Sequence, residues 1–130
     1  MSWTEVRALL RRGPDHYLIA KATSDPDAPW EFPGERLKPH EAAEHVLRRL
    51  CQTRLGINPG VLIPQPPFTH GFGTHAVSFR YYVCPLSGDE ATPLGYAEVR
   101  WVAARQLRDY CFDAGSQPVV DQLVDGAQDR

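Results

Sequence analysis

An α/β or α+β sandwich is the fold class this sequence predicts, on three observations. Apolar and alternating runs that read as strands, "YLIA", "HAVSFRYYVC" and "YAEVRWVA", are spread along the chain; a long apolar stripe at helical spacing follows Pro39; a shorter helical stretch, "SQPVVDQLV", closes the chain. Strands with a few helices between them call for a sheet covered by helices rather than a bundle. The 130 residues, 42% of them hydrophobic, suffice for one core and are too few for two, so 1–130 is expected to be a single domain.

The elements follow in order. Trp3 to Leu10 mixes apolar and polar residues, and Gly13, Pro14 and Asp15 turn the chain into "YLIA", so a hairpin is expected. "TSDPDAP" is rich in turn-formers and reads as a loop. After Pro39, Ala42, Ala43, Val46, Leu47, Leu50, Cys51 and Leu55 recur on one helical face, and Gly56 is the stop. "NPGVLIPQPP" reads as a turn, a short strand and a proline-rich exit, which marks a sheet edge. The stretch His70 to His75, with Gly71 and Gly73, is expected to be a deformable loop. In the strand that follows, Val77, Phe79, Tyr81 and Val83 share a face; "LSGDEATPLG" is a polar loop. "ARQLRDY" is a short helix, and Ser116 stands near the N-cap of the last helix, with Pro118 in its first turn.

The net charge of −2 excludes a global basic field of the kind that binds nucleic acid regardless of sequence. A local patch stays open, because Arg11, Arg12, Arg36, Arg48, Arg49 and Arg54 gather in the first half while acids dominate after Asp89. Three cysteines without paired spacing are expected to be reduced, and no leader or membrane-spanning run is evident, so a soluble cytoplasmic protein is expected. His40, His45, His70 and His75 with Cys51 lack zinc-ligand spacing. Gly71 and Gly73 lack the lysine and helix of a phosphate loop.

The stretch "WEFPGERLKPHEAAEHVLRRLCQTRLGI", Trp30 to Ile57, resembles the Nudix hydrolase family, most closely its MutT type. The family box is a glycine, five residues, a glutamate, seven residues, then Arg-Glu-apolar-x-Glu-Glu-x-Gly-apolar. Laid on without a gap, it keeps Glu41, Arg49, Gly56 and Ile57; its opening glycine falls on Glu35, beside Gly34, and its three helix glutamates fall on Leu50, Thr53 and Arg54. The resemblance implies a Nudix fold, an α/β/α sandwich with a mixed β-sheet. It also implies Mg²⁺ as cofactor in any hydrolase, since magnesium takes oxygen ligands and usually sits between carboxylates and the substrate's phosphates. A leucine, a threonine and a guanidinium do not supply that charge. Rerouted metal ligands would have to come from Glu31 and Glu35, with Glu41 and Glu44 as catalytic candidates; Glu44 also has Arg48 four residues on as a helical partner.

The second half, "PPFTHGFGTHAVSFRYYVC", is similar to the C-terminal domain of the MutY family of adenine DNA glycosylases, a Nudix-like module that helps recognise 8-oxoguanine in DNA. That family shows His-x-Phe-Ser/Thr-His; this chain has His70, Phe72, Thr74 and His75, with Gly73 inserted. The glycosylase catalytic domain and its iron–sulfur cysteines are absent from this sequence. "FDAGSQPVV" resembles the MutT segment where an asparagine reads oxidised guanine, and that place is held by Ser116; Phe32 falls at a pocket aromatic. The resemblances thus imply a retained base pocket of Phe32, the His70–His75 stretch and Ser116. Arg49 and Arg54 are candidates to meet a phosphate without metal. Three functions are carried forward: recognition of a nucleotide or oxidised purine, free or in DNA, without efficient hydrolysis; hydrolysis of nucleoside diphosphate-linked substrates with relocated ligands; and an interaction module with a protein partner.

Overall fold

The computed structural model describes residues 2–88 and 90–128; Asp89, in the polar loop, lies outside them. The axis of the sheet is β1 (Ser2–Arg12), which runs parallel to β7 (His75–Leu86) over its whole length, from Ser2 opposite Ala76 to Arg12 opposite Leu86. On its other side β1 pairs antiparallel first with β4 (Gly34–Leu37) and then, at its far end, with β2 (His16–Lys21). β2 carries β3 (Trp30–Glu31) and β8 (Glu98–Ala103), while β7 carries β5 (Ile63–Pro64) and β6 (Phe68–Phe72). The result, among the described residues, is a mixed sheet of eight strands. β3 and β4 are two and four residues long, too short for the alternation that betrays a strand in sequence, and the sequence reading missed both.

Alternation along β1 and β7 sorts side chains into two cores. Val6, Ala8 and Leu10 face α1 (Ala43–Leu55), which buries Ala43, Val46, Leu47, Leu50, Cys51 and Leu55 against them. Leu9, Val77, Phe79 and Tyr81 face the other way, toward a 3-10 helix (Ala104–Asp109) and α2 (Gln117–Gln128). The sandwich is therefore α/β/α, as expected. α1 ends at Gly56, whose φ of 65° is left-handed and whose N–H donates to the Cys51 carbonyl. The carbonyls that the last turn leaves open are taken by the loop between β7 and β8: Thr92 N–H donates to Leu55 O, and Leu94 and Gly95 N–H to Arg54 O. This capping fixes the end of the box helix and everything beside Arg54.

The expected loop at His70 to His75 is instead the tip of a hairpin. His70 and Phe72 belong to β6, and Phe72 sits opposite His75 across a two-residue turn, Gly73-Thr74. Gly73, at φ 60°, is the positive-φ residue a two-residue turn needs at its first central position. The ladder to β7 supplies hydrogen bonds that the local glycine content argued against. The expected Glu44–Arg48 helix pair also gives way, because Arg48 donates to the Pro59 carbonyl at 2.9 Å. No helix among the described residues is long and apolar enough to cross a membrane.

Candidate functional site

Arg7 organises the site. Its place on β1, between Glu5 and Leu9 on one strand face, buries it to 5% exposure with its guanidinium over the Phe79 ring, 5.5 Å from the centroid. One Nη donates to Phe32 O (3.3 Å) and Ser116 Oγ (3.2 Å) and has Glu31 at 3.7 Å; the other donates to Glu5 (2.9 Å) and Asp113 (3.1 Å). Burial opposes its charge, but Asp113, Tyr81, Glu5 and Glu31 outweigh that and raise its pKa further. Asp113 serves twice, because its other oxygen accepts the Ser116 N–H at the start of α2.

Three carboxylates around one arginine leave negative charge in excess. Burial pushes Glu31 up to about 7, with Arg7 opposing and Asp113 adding to the shift. The native carboxyl thus holds its proton between about 4.5 and 7 where the unfolded one has lost it, so stability falls as pH rises through that window and stays lower above it. Glu31→Gln is expected to remove this component: relative to the parent, it gains about 1–3 kcal/mol between pH 5 and pH 8 in denaturant unfolding. Parallel pH curves for the two proteins would contradict the assignment.

Above Arg7 opens a cleft of about 310 Å³, walled by Trp3, Phe72 and Phe79 and ending on Glu5, Arg7 and Asp113. It has the dimensions and the balance of aromatic wall and few polar groups that suit a small planar ligand. Gly115 shapes one side, since a Cβ there would meet the Phe79 ring. Two expected site residues lie behind Arg7 and do not line the cleft. Phe32 is fully buried, stacked on Phe112 at 5.5 Å between centroids, and Ser116 is fully buried with Oγ taken by Arg7 and by Phe32 N–H. Phe72 reaches the cleft, His75 touches Trp3 (5.7 Å) and His70 touches Phe72 (4.6 Å); Thr74 lies exposed in the turn.

The box residues assemble separately. Arg49 is held by Glu35 and Glu41, each at 3.3 Å. Glu41 lies below the usual carboxylate range, chiefly because the Lys38 backbone N–H donates to it and then because of Arg49. Arg54 donates to Gly95 O at 2.9 Å and lies over the Tyr96 ring at 4.2 Å; a Cβ on Gly95 would come within 2.8 Å of its Cγ. Leu50 is 1% exposed in the α1 core, Thr53 returns its hydroxyl to Arg49 O, and Glu44 is exposed. Arg49 and Arg54 each have partners within the fold and form no joint clamp. The donor set does not fit a divalent ion: among the described residues no three His, Cys, Asp or Glu side chains are placed to share one. Glu31 faces Arg7, and Glu35 and Glu41 face Arg49.

Sequence reasoning missed Trp3, Glu5, Arg7 and Asp113. The available signal was the alternation Trp3, Glu5, Arg7, Leu9, which puts two charges on a face that must be buried.

A mixed sheet between helical layers, with the box helix on one face of β1 and the cleft on the other, defines a MutT-like sandwich. The NUDIX domain family model matches residues 1–123, and the chain belongs to that family. A MutT structure from work on Aliivibrio salmonicida and Vibrio cholerae superposes with a TM-score of 0.80 at 21% identity, over 97% of this chain and 99% of that one. The MutT protein of Methanosarcina mazei gives 0.76 at 16%, over 99% and 96%. The NUDIX domain of Shewanella oneidensis NrtR, solved with ADP ribose, gives 0.76 at 15%, over 100% and 88%. At these identities the likeness is one of fold. No curated protein sequence matches significantly.

Proposed function

We propose that this Nudix domain recognises a guanine-type nucleotide or oxidised guanine, free or in DNA, without efficient hydrolysis. The observation that carries it is the division of the site. An aromatic cleft with acceptors at its end is intact, while the helix face that would hold metal carries Leu50, Thr53 and Arg54, the last engaged with Gly95 and Tyr96. Guanine presents N1–H and an amino group, and 8-oxoguanine adds N7–H, so a donor-rich edge complements Glu5 and Asp113. Trp3, Phe72 and Phe79 offer the apolar faces a base requires. Phe32 and Ser116 serve by fixing Arg7. The nucleotide class is supported by the ADP ribose held by the NrtR domain. A reducing cytoplasm belongs to the same proposal, with Cys51 and Cys84 buried and unpaired.

The test sets turnover against binding. The protein is incubated with magnesium or manganese and 8-oxo-dGTP, the ordinary dNTPs or ADP-ribose while phosphate and pyrophosphate release is followed; binding of 8-oxo-dGMP is measured by calorimetry in EDTA. Expected are no turnover above background, binding without metal, and a loss of roughly tenfold in affinity for Glu5→Gln, the scale of one charge-assisted hydrogen bond. Magnesium-dependent turnover that disappears in Glu41→Gln or Glu44→Gln would instead establish a hydrolase with relocated ligands. Neither turnover nor nucleotide binding would leave the interaction module.

A further inference from the structure

We infer that the base recognised in the cleft is presented by a single-stranded nucleic acid, whose neighbouring nucleotides lie across a strip of aromatic and basic side chains on the same face of the sheet. The inference rests on the base-recognition reading above and names the form in which the base arrives.

The strip follows from register. Arg36 on β4 sits opposite Glu5, and so on the face that carries Trp3, Glu5 and Arg7. Trp3 sits beside Val77 in the parallel pair, and across the next ladder His70 is opposite Val77 and Phe72 opposite His75. One row therefore crosses four strands, and its members touch. Arg36 lies over the Trp3 ring (4.8 Å), Trp3 meets His75 (5.7 Å), and His70 meets Phe72 (4.6 Å). Arg36, Phe72 and His75 are exposed. Trp3 and Phe72 are also walls of the base cleft, so the strip is continuous with it.

On the far side of Trp3 lies a second cleft of about 470 Å³, between the beginning of β1 and the end of β4, bordered by Ser2, Thr4, Arg36 and Lys38. Two cations and two hydroxyls border it, and no carboxylate lines it. The carboxylates around it are committed elsewhere: Glu5 and Asp113 to Arg7, Glu35 and Glu41 to Arg49. Among the described residues neither Arg36 nor Lys38 has an ion-pair partner. That is the arrangement a sugar–phosphate backbone complements: aromatic planes for bases, and unpaired donors for phosphates.

A single strand fits better than the other forms of the ligand. The base cleft needs an unstacked base, and exposed rings need base faces that a duplex keeps stacked inside. The base cleft itself is lined by a single cation, Arg7, which Glu5 and Asp113 already hold, so a free triphosphate would find no unpaired cation there; a strand carries its flanking phosphates past Trp3 to Arg36 and Lys38.

The experiment uses the whole chain and fluorescence anisotropy. Probes are a nine-nucleotide single strand with central 8-oxoguanine, the same strand with guanine, the oxidised strand in duplex, and 8-oxo-dGMP as competitor. Expected is an affinity for the oxidised strand at least tenfold above that for the mononucleotide and above that for the duplex. Arg36→Gln, Lys38→Gln and His70→Ala should each cost the strand about three- to tenfold, and the two cation variants, which lie outside the base cleft, should leave the mononucleotide unchanged. Each of the two cation variants should also flatten the dependence of log affinity on log salt by about 0.7, the single-strand increment per phosphate contact. Mononucleotide and strand binding alike, duplex preferred, or a strand advantage untouched by all three substitutions would overturn the inference while leaving base recognition standing. A strand bound through Arg36, Lys38 and His70 with no preference for 8-oxoguanine over guanine would keep the strip and overturn the oxidised-base reading instead.

Discussion

Replacing Arg7 by methionine is expected to destabilise the fold by about 3–5 kcal/mol at pH 8, the usual cost of removing one partner from a buried charge cluster. The number comes from what is left behind rather than from what is lost. Methionine keeps much of the packing on Phe79, but Glu5, Glu31 and Asp113 then face one another without a cation, and Ser116 Oγ and Phe32 O each lose a donor. Protonation relieves part of the cost. The orphaned carboxyls would titrate at higher pH in the folded than in the unfolded chain, so the gap between parent and variant should widen from pH 5 to pH 8. Arg7→Lys should fall between the two, because an ammonium keeps the charge but its single nitrogen cannot span the four acceptors that the two Nη atoms of Arg7 reach. Denaturant unfolding at both pH values decides it, and a loss under about 1 kcal/mol at pH 8 would mean that the cluster is solvated and not the buried hub described.

How much of this was legible in the sequence depends on whether a feature is made by neighbours or by distant segments. α1 was, because its apolar residues form one stripe and Gly56 ends it; so was the alternating face of β7 from Val77 to Val83. The hairpin tip was not, since Gly71 and Gly73 read locally as loop and the pairing that makes β6 a strand is supplied by β7. The Arg7 hub was the least legible. Asp113 and Ser116 lie 106 and 109 residues away from Arg7, and only the parallel β1–β7 pairing with α2 laid behind it brings them together. The box resemblance laid Arg54 at the end of a helix that the apolar stripe had already located, and Arg54 does stand in the last turn of α1. It did not reveal that Arg54 is tied to Gly95 and Tyr96, because those partners come from a loop whose sequence carries no box signature.

Leu50 and its two neighbours in the box are expected to respond differently to substitution by glutamate, and the difference bears on whether this helix face can carry carboxylates. Thr53 is exposed and Arg54 partly so, so Thr53→Glu should cost within about 0.5 kcal/mol. Arg54→Glu should cost somewhat more, through loss of the Gly95 bond and the Tyr96 contact. Leu50 is another matter. It sits with Val46, Leu47 and Cys51 on the buried face of α1, 1% exposed. Leu50→Ala should cost about 2–5 kcal/mol as a cavity. Leu50→Glu should cost at least as much at pH 8, and less at pH 5. A carboxyl in that core would keep its proton well above its unfolded pKa, and stability would fall as pH rises through the interval between the two. Thermal unfolding of the three single glutamate variants at pH 5 and 8 tests this. If Leu50→Glu unfolds at about the parent's temperature at both, the position reaches solvent and the box face is open after all. If it falls steeply while Thr53→Glu does not, restoring the missing charges is hindered by the packing of α1 itself. On that outcome metal binding should be sought in the Thr53→Glu, Arg54→Glu double variant, with Leu50 left in place.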